Sequence, residues 1–357
     1  MRRLRRAGTL LAYLVGVALF FETSARLIVA SDALFTRIQG SDSASWRLRF
    51  VKRHAGGRKL YYDFDVHHPS RGWALRPNIR GQRVFGDRRL SSNSEGVRGA
   101  REHSAVKPPG VRRVLVLGDS FTFGDEVSDD ETYSHYLQES LSGVEVINLG
   151  VHGYGHDQML LYLKEVGARY QPDVVLLGFL SDDMERNLLA FRDFAKPRFE
   201  LEGGRLLARG LPVPTPDEVL AREWARSKFA DLLTVLKGRQ AWRSGANLKR
   251  MRRLTVALLD ELHRTIEGLG ARAAYAYLPV YGEIDKPDMA MTSRERFFFG
   301  YCRDRGIQSM YLRRFFLRKL RAGAEFKTYG HWGPLEHRTA AEGMRAYLLE
   351  KGLLEGG

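Results

Sequence analysis

A chain of 357 residues with 44% hydrophobic and 28% charged content can form one large domain or two ordinary ones, and it is too apolar to be a disordered polymer. Its formal net charge of +15 leaves nucleic acid or an anionic membrane open as partners. The arginines are dispersed, however, and no zinc-finger spacing or comparable module occurs, so no nucleic acid is expected; one cysteine, Cys302, excludes an intrachain disulfide and a cysteine zinc cluster.

Residues 1–6 form a basic tail carrying Arg2, Arg3, Arg5 and Arg6. Ala7–Phe21 is then almost wholly apolar, Glu22 interrupts, and Ala25–Ala30 resumes. At about 1.5 Å per residue, residues 7–30 are long enough to cross a bilayer, with Glu22, Thr23, Ser24 and Arg26 near the far interface. Basic residues ahead of the span place the N-terminus in the cytoplasm and the remainder outside. The expectation is a single-pass anchor in the inner (cytoplasmic) membrane with an extracytoplasmic, periplasmic C-terminal part. A cleaved signal peptide and a buried helix are the competing readings. The uninterrupted apolar run is only about 15 residues, which suits a signal, but no small-x-small cleavage site directly follows it.

Residues 31–109 read as an extracytoplasmic linker and a small lead-in region. Ser41–Val106 is rich in Arg, Gly, Ser and His, with strand-like pieces at Lys59–Phe64 and Gln82–Phe85 and turn-dense stretches at Pro69–Pro77 and Leu90–Gly99. An antiparallel flap and an extended wrap over the main domain both fit. Pro108-Pro109-Gly110 marks the boundary before residues 110–350.

From Val111 strands and helices alternate. Four apolar residues from Val114 read as a fully buried strand that ends at Gly118-Asp119-Ser120, a small-residue turn carrying a hydroxyl. A helix follows over Glu131–Leu141, with Asp129 or Asp130 as its cap, then a strand over Val144–Asn148 and a glycine-rich loop over Leu149–Gln158. Asp157 can cap a helix to about Arg169, and Asp173–Phe179 is a third strand with the exit loop Leu180–Asn187. An insertion at about 190–250 begins irregularly over Phe194–Pro216, with a hairpin around Glu202-Gly203-Gly204. It continues as a helix over Asp217–Leu236 with Trp224 and Phe229 available to an apolar face. The basic run Lys237, Arg239, Arg243, Lys249, Arg250, Arg252 and Arg253 reads as a solvated loop and helix start, or else as a docking patch for anionic lipid head groups or an acidic glycan. A helix over Leu254–Leu269, a strand over Ala271–Val280, a helix over Ser293–Arg305, a strand over Ile307–Tyr311 and a last helix over Glu336–Lys351 complete the chain. This alternation defines an α/β fold with a mostly parallel sheet flanked by helices.

Open α/β sheets place their chemistry beyond the C-terminal ends of the strands, where Ser120 falls. His331, in Tyr329-Gly330-His331-Trp332-Gly333-Pro334, lies in a loop after the final strand and is placed to reach Ser120 and take its proton. Taken alone, a turn serine or a loop histidine is ordinarily structural, and His152, His156 and His337 carry that reading. Asp119, Asp125, Asp129 and Asp130 suit turns and a helix cap better than a metal, and the first strand lacks a G-x-G-x-x-G turn. No metal or cofactor is expected.

Together, Gly118-Asp119-Ser120, Asn148-Leu149-Gly150, the Asp182-Asp183 loop and the His331 loop resemble the SGNH (GDSL) hydrolase superfamily over residues 110–350. The strings GDSFTFGDEVSDDETY, NLGVHGYGHDQ, LGFLSDDMERN and YGHWGPLEHRTAAEG are similar to a branch of membrane-anchored bacterial proteins linked to acylation or deacylation of cell-envelope polysaccharides. The resemblance implies a flavodoxin-like three-layer sandwich with Ser120 as nucleophile and His331 as base. It also implies an oxyanion hole from the N–H groups of Ser120 and Gly150 and the side chain at the position of Asp182, with Asp119, Asn148, Asp183 and Tyr329 in the supporting loops. The sequence departs from the pattern where Asp182 replaces an asparagine and where Thr328 and Tyr329 replace the aspartate that supports the histidine. Glu325, another acid brought in by the fold, or a backbone carbonyl is the expected substitute. Gly333 and Glu336 depart as well, standing for an asparagine and a small residue. The function implied is a serine esterase or O-acyl transferase acting on an acylated envelope glycan or other ester, alongside envelope polysaccharide machinery. The alternative is a catalytically degenerate relative retained for glycan binding or assembly.

Overall fold

The computed structural model describes residues 2–55, 63–284 and 290–355. Mainly apolar runs form strands covered on both faces, β1 (Arg112–Gly118), β2 (Val144–Gly150), β3 (Val174–Phe179) and β4 (Arg272–Tyr277), and a shorter, partly exposed edge strand β5 (Gln308–Tyr311) joins them. They make one sheet in the order β5-β4-β3-β1-β2, with every neighbouring pair parallel. Successive side chains point to opposite faces, so each strand feeds two cores. Leu115, Leu117, Ile147 and Leu177 pack with the helices His156–Tyr170, Ala246–Gly268 and Ser293–Asp304. Val114, Val116, Val146 and Leu176 pack with the helices Tyr133–Ser140, Arg313–Arg321 and Pro334–Glu350. The result is three layers, helix, sheet and helix. The chain leaves β1 for β2 on one side and returns to β3 on the other, so the carboxyl end of β1 is the switch point where such sheets open a crevice.

The lead-in region is partly helical, with helices at Asp32–Ile38 and Ser43–Ala55. Two antiparallel hairpins follow, Asp65–His68 with Gly72–Leu75 and Gln82–Val84 with Arg88–Leu90. Of the strand-like piece Lys59–Phe64, only Asp63 and Phe64 lie within the described residues. This region lies against the β1 and β2 exits. Trp73, 1% exposed, donates its indole N–H to the His152 carbonyl at 3.0 Å, and Tyr154 donates to the Trp73 carbonyl at 2.5 Å.

Three sequence expectations about helix starts are corrected. Asp129 and Asp130 do not cap the Tyr133–Ser140 helix: Thr132 Oγ1 accepts the His135 N–H, and Asp129 instead binds Arg98 and the Ser91 N–H of the lead-in region. Gly155, not Asp157, stands at the start of the next helix, and Asp157 is buried in an ion pair with Lys196. The helix expected over Asp217–Leu236 is two, Pro216–Glu223 and Lys228–Arg243, because Ser227 caps the second and breaks the first. Trp224 sits in that break, 80% exposed, rather than on an apolar face. The hairpin around Gly203-Gly204 forms as expected, Arg198–Glu202 with Arg205–Arg209.

Arg2–Ala30 is a single helix, and its segment Arg6–Ala30 is long and apolar enough to cross a membrane. Only 11% of its most apolar window is buried, so it is not a core helix. This supports a membrane anchor.

Candidate active site

The turn after β1 is built by close approach. A Cβ on Gly150 would stand 2.4 Å from the Phe123 backbone nitrogen, so the short helix Ser120–Phe123 lies directly on the end of β2 only because position 150 is glycine. Asp119 caps that helix, its Oδ1 accepting the Phe121 N–H at 3.0 Å. Its other oxygen accepts from Arg186 at 2.9 Å and lies 3.2 Å from Ser120 Oγ. Ser120 itself is 4% exposed at the switch point.

His331 reaches this serine from the far end of the chain, with Nε2 2.9 Å from Ser120 Oγ. Its loop is held on all sides. Trp332 is fully buried and donates to the Pro279 carbonyl at 3.2 Å, and Tyr281 donates to the His331 carbonyl at 2.5 Å. Glu336, one of the departures in sequence, accepts the N–H groups of Lys327 at 2.6 Å and Gly333 at 3.0 Å and so ties the loop to the last helix.

The carboxylate facing the other ring nitrogen is Glu126, which sequence reasoning missed. Its Oε1 lies 3.3 Å from His331 Nδ1 and 3.4 Å from the His331 backbone nitrogen, while Lys327 binds its Oε2 at 2.7 Å. Partial burial works against its ionisation, but the hydrogen bonds from Lys327 and His331 prevail and hold the carboxyl below the usual range. Glu126 sits at φ +68°, a left-handed conformation that costs a residue with a Cβ about 1–2 kcal/mol. Glu325, the acid expected nearby, is exposed at the surface. Asp125 lies 3.7 Å from His331 Nε2 and is buried, which pushes its carboxyl up.

The remaining positions of the expected constellation fall differently. The Gly150 N–H is donated within the protein, to Asn148 Oδ1 at 2.9 Å. Asn148 Nδ2 in turn donates to the Thr122 carbonyl at 2.9 Å and Ser134 Oγ at 2.8 Å, so Asn148 staples β2 to the nucleophile turn. Asp182 is largely exposed and pairs with Arg294 at 3.0 Å, an arginine that also binds Ser181 Oγ. Asp183 is fully buried against Arg186, at 2.5 Å, and its second oxygen has no hydrogen-bond partner among the described residues. Burial, reinforced by Asp119, pushes this carboxyl well above the usual range despite Arg186. Arg186 also donates to the Tyr154 carbonyl at 3.0 Å, which sets the Val151–Tyr154 turn beside Asp119. Tyr329 is 79% exposed and points away from any core.

The other histidines of the region hold structure. His156 and His337 are buried, and desolvation pushes both down to about 3, so both are neutral. His337 Nδ1 accepts the Tyr133 N–H at 3.1 Å. His152 is the opposite case. Burial alone would lower it, but the Asp65 carboxylate at 2.8 Å, with Asp125 and Asp193 beyond, raises it to about 9. A histidine raised from about 6.5 stabilises the fold fully below that pH, and the contribution is lost as pH rises through about 9. The thermal midpoint in detergent is therefore expected to fall as pH rises from about 6.5 to above 9, and Asp65→Asn is expected to flatten that slope. An unchanged slope in the variant would contradict the pairing.

The fold and site thus define a parallel α/β sheet with a serine, a histidine and a carboxylate in hydrogen-bonding sequence at its carboxyl edge. Neither a protein-family model nor a curated protein matches the sequence. Solved structures do. A member of the lipolytic protein G-D-S-L family from Veillonella parvula is 11% identical with a TM-score of 0.40, the match covering 67% of this chain and 97% of that one. LAE5, an alpha/beta hydrolase enzyme from the metagenome of Lake Arreo, is 15% identical with a TM-score of 0.41, covering 69% and 97%. Axe2, an acetylxylan esterase from Geobacillus stearothermophilus, is 14% identical with a TM-score of 0.39, covering 66% and 94%.

Proposed function

We propose that this chain is a membrane-anchored, SGNH-type serine esterase or O-acyl transferase whose catalytic part lies outside the cytoplasmic membrane. The observation that carries the reading is the 2.9 Å contact between Ser120 Oγ and His331 Nε2, with Glu126 on the opposite nitrogen. His331 Nε2 takes the Ser120 proton as Oγ attacks an ester carbonyl. The resulting imidazolium keeps its Nδ1–H directed at Glu126. Collapse of the tetrahedral intermediate releases the alcohol, which leaves with the proton from Nε2, and the acyl group stays on Oγ. Water or a sugar hydroxyl then repeats the attack in reverse, giving hydrolysis or transfer.

Oxyanion stabilisation is assigned to the Ser120 N–H, because the Gly150 N–H is already engaged by Asn148. Arg294 offsets the charge of Asp182, which would otherwise oppose an oxyanion. The substrate class is an acylated cell-envelope carbohydrate. A net charge of +15 suits an anionic polymer, and an anchored domain suits work at the envelope. The second reading, a degenerate site kept for binding, is favoured by the Gly150 amide already paired with Asn148 and by Asp182 where an amide is usual.

Glu126 separates the readings. If it orients His331, Glu126→Gln lowers kcat for p-nitrophenyl acetate by about 10²- to 10⁴-fold with little change in KM, as expected for losing the orienting acid of a triad. A site in which His331 is only structural shows no Glu126-dependent rate at all.

A further inference from the structure

Five tryptophans occur in the chain, at positions 46, 73, 224, 242 and 332. Trp73 and Trp332 are buried, Trp46 and Trp242 are half-buried, and Trp224 alone is exposed, at 80%. It lies in the break between the helices Pro216–Glu223 and Lys228–Arg243. The neighbour before it, Glu223, is turned inward and held by Arg47 and by Lys228 at 2.6 Å, so the break is fixed and Trp224 is presented outward.

The same break is fastened to the anchor helix where that helix meets the domain. Glu22 accepts hydrogen bonds from Ser227 Oγ at 2.7 Å and from the backbone N–H groups of Lys228 at 3.1 Å and Phe229 at 3.2 Å. Phe21 and Phe229 pack with ring centroids 5.1 Å apart, and Arg26 donates to the Arg226 carbonyl at 3.4 Å. The exposed apolar run before this junction, Ala7–Phe21, is about 22 Å long at 1.5 Å per residue, whereas a bilayer core is about 30 Å thick. A bilayer that takes up the whole run therefore extends past Phe21 to the level of the break. Trp is the residue best suited to that level, with an apolar ring and one N–H donor, and exposed Arg222 and Arg226 beside it suit lipid phosphates.

We propose that the segment Glu223–Ser227 is a second membrane contact, with Trp224 seated in the lipid interface on the domain's side of the bilayer. This inference rests on the anchor and is independent of the chemistry at Ser120. A span with one flexible exit would leave the domain free to rotate. A span clamped at Glu22 and supported by Trp224 holds the domain at one height and rotation against the surface.

The test uses the full chain reconstituted into phosphatidylcholine–phosphatidylglycerol vesicles, with lipids brominated near the head-group end of the chains as tryptophan quenchers. Wild type is expected to lose emission relative to unbrominated vesicles, and Trp224→Phe is expected to abolish most of that loss. No loss in the wild type, or the same loss in Trp224→Phe, overturns the contact and leaves Trp224 facing water or another protein. Failure of the chain to float with the vesicles would overturn the anchor, and the contact with it.

Discussion

Alanine at Ser120 or at His331 is expected to reduce hydrolysis of p-nitrophenyl acetate by the purified full chain by about 10⁴- to 10⁶-fold, with the double variant no slower than either single one. In the proposed mechanism the two side chains act as one proton-transfer unit, with His331 Nε2 at 2.9 Å nearer to Ser120 Oγ than Asp119 Oδ2 at 3.2 Å, and with Asp125 at 3.7 Å from that nitrogen. Removing either half removes the unit, which is why the losses do not add. Neither change should unfold the protein. The loop around His331 is held through Trp332, Glu336 and backbone carbonyls, and the turn around Ser120 through Asp119 and Gly150. Steady-state rates on variants with unchanged thermal midpoints are the check. A drop below tenfold for Ser120→Ala would assign the activity to another group.

The largest stability effect is expected away from the site, at Lys196 and Asp157. Both side chains are fully buried and paired with each other, and Lys196 also donates to the carbonyls of Arg186 at 3.2 Å and Leu189 at 3.3 Å. Burial pushes the Lys196 amine down and the Asp157 carboxyl up, and each partner opposes the shift of the other. Lys196→Met leaves a carboxylate in the interior and takes a donor from the Arg186 and Leu189 carbonyls, of which Arg186 still accepts the Leu189 N–H, and is expected to cost about 3–5 kcal/mol. Protonation of the stranded Asp157 limits the cost to that range. Lys196→Met with Asp157→Leu is expected to recover much of it, because a buried pair replaced by apolar groups of similar volume is often neutral. Chemical denaturation of the three proteins in one detergent decides this. Equal stability of wild type and Lys196→Met would show that the pair carries no weight.

The sheet was legible because its strands are mainly apolar runs with few polar residues: Val114–Leu117, Val144–Asn148 and Asp173–Phe179 each fall within two residues of an observed strand. The helix Ser43–Ala55 was not, because an arginine- and serine-rich segment carries little apolar periodicity and is held by tertiary contacts such as Arg47 to Glu223 and Asp231. Ser120 and His331 could be read as a pair because Ser120 ends a strand and His331 lies in a glycine-bracketed loop before the last helix, although the helix Arg313–Arg321 stands between that loop and the final strand. Glu126 could not be paired with a histidine 205 residues away, since nothing local marks which acid the fold will bring there. The one signal available was an acid directly after Gly124-Asp125, where no turn requires glutamate. The same limit applies to Gly150, whose engagement with Asn148 depends on how β2 ends rather than on the motif that contains it.

The claim that Ser120 is an activated nucleophile is tested most directly by reaction with a fluorophosphonate followed by peptide mass spectrometry. The expected result is one covalent adduct on the peptide containing Ser120, absent in Ser120→Ala and formed far more slowly in His331→Ala. An unlabelled Ser120 in folded, membrane-reconstituted protein, or labelling at the same rate without His331, would contradict the account.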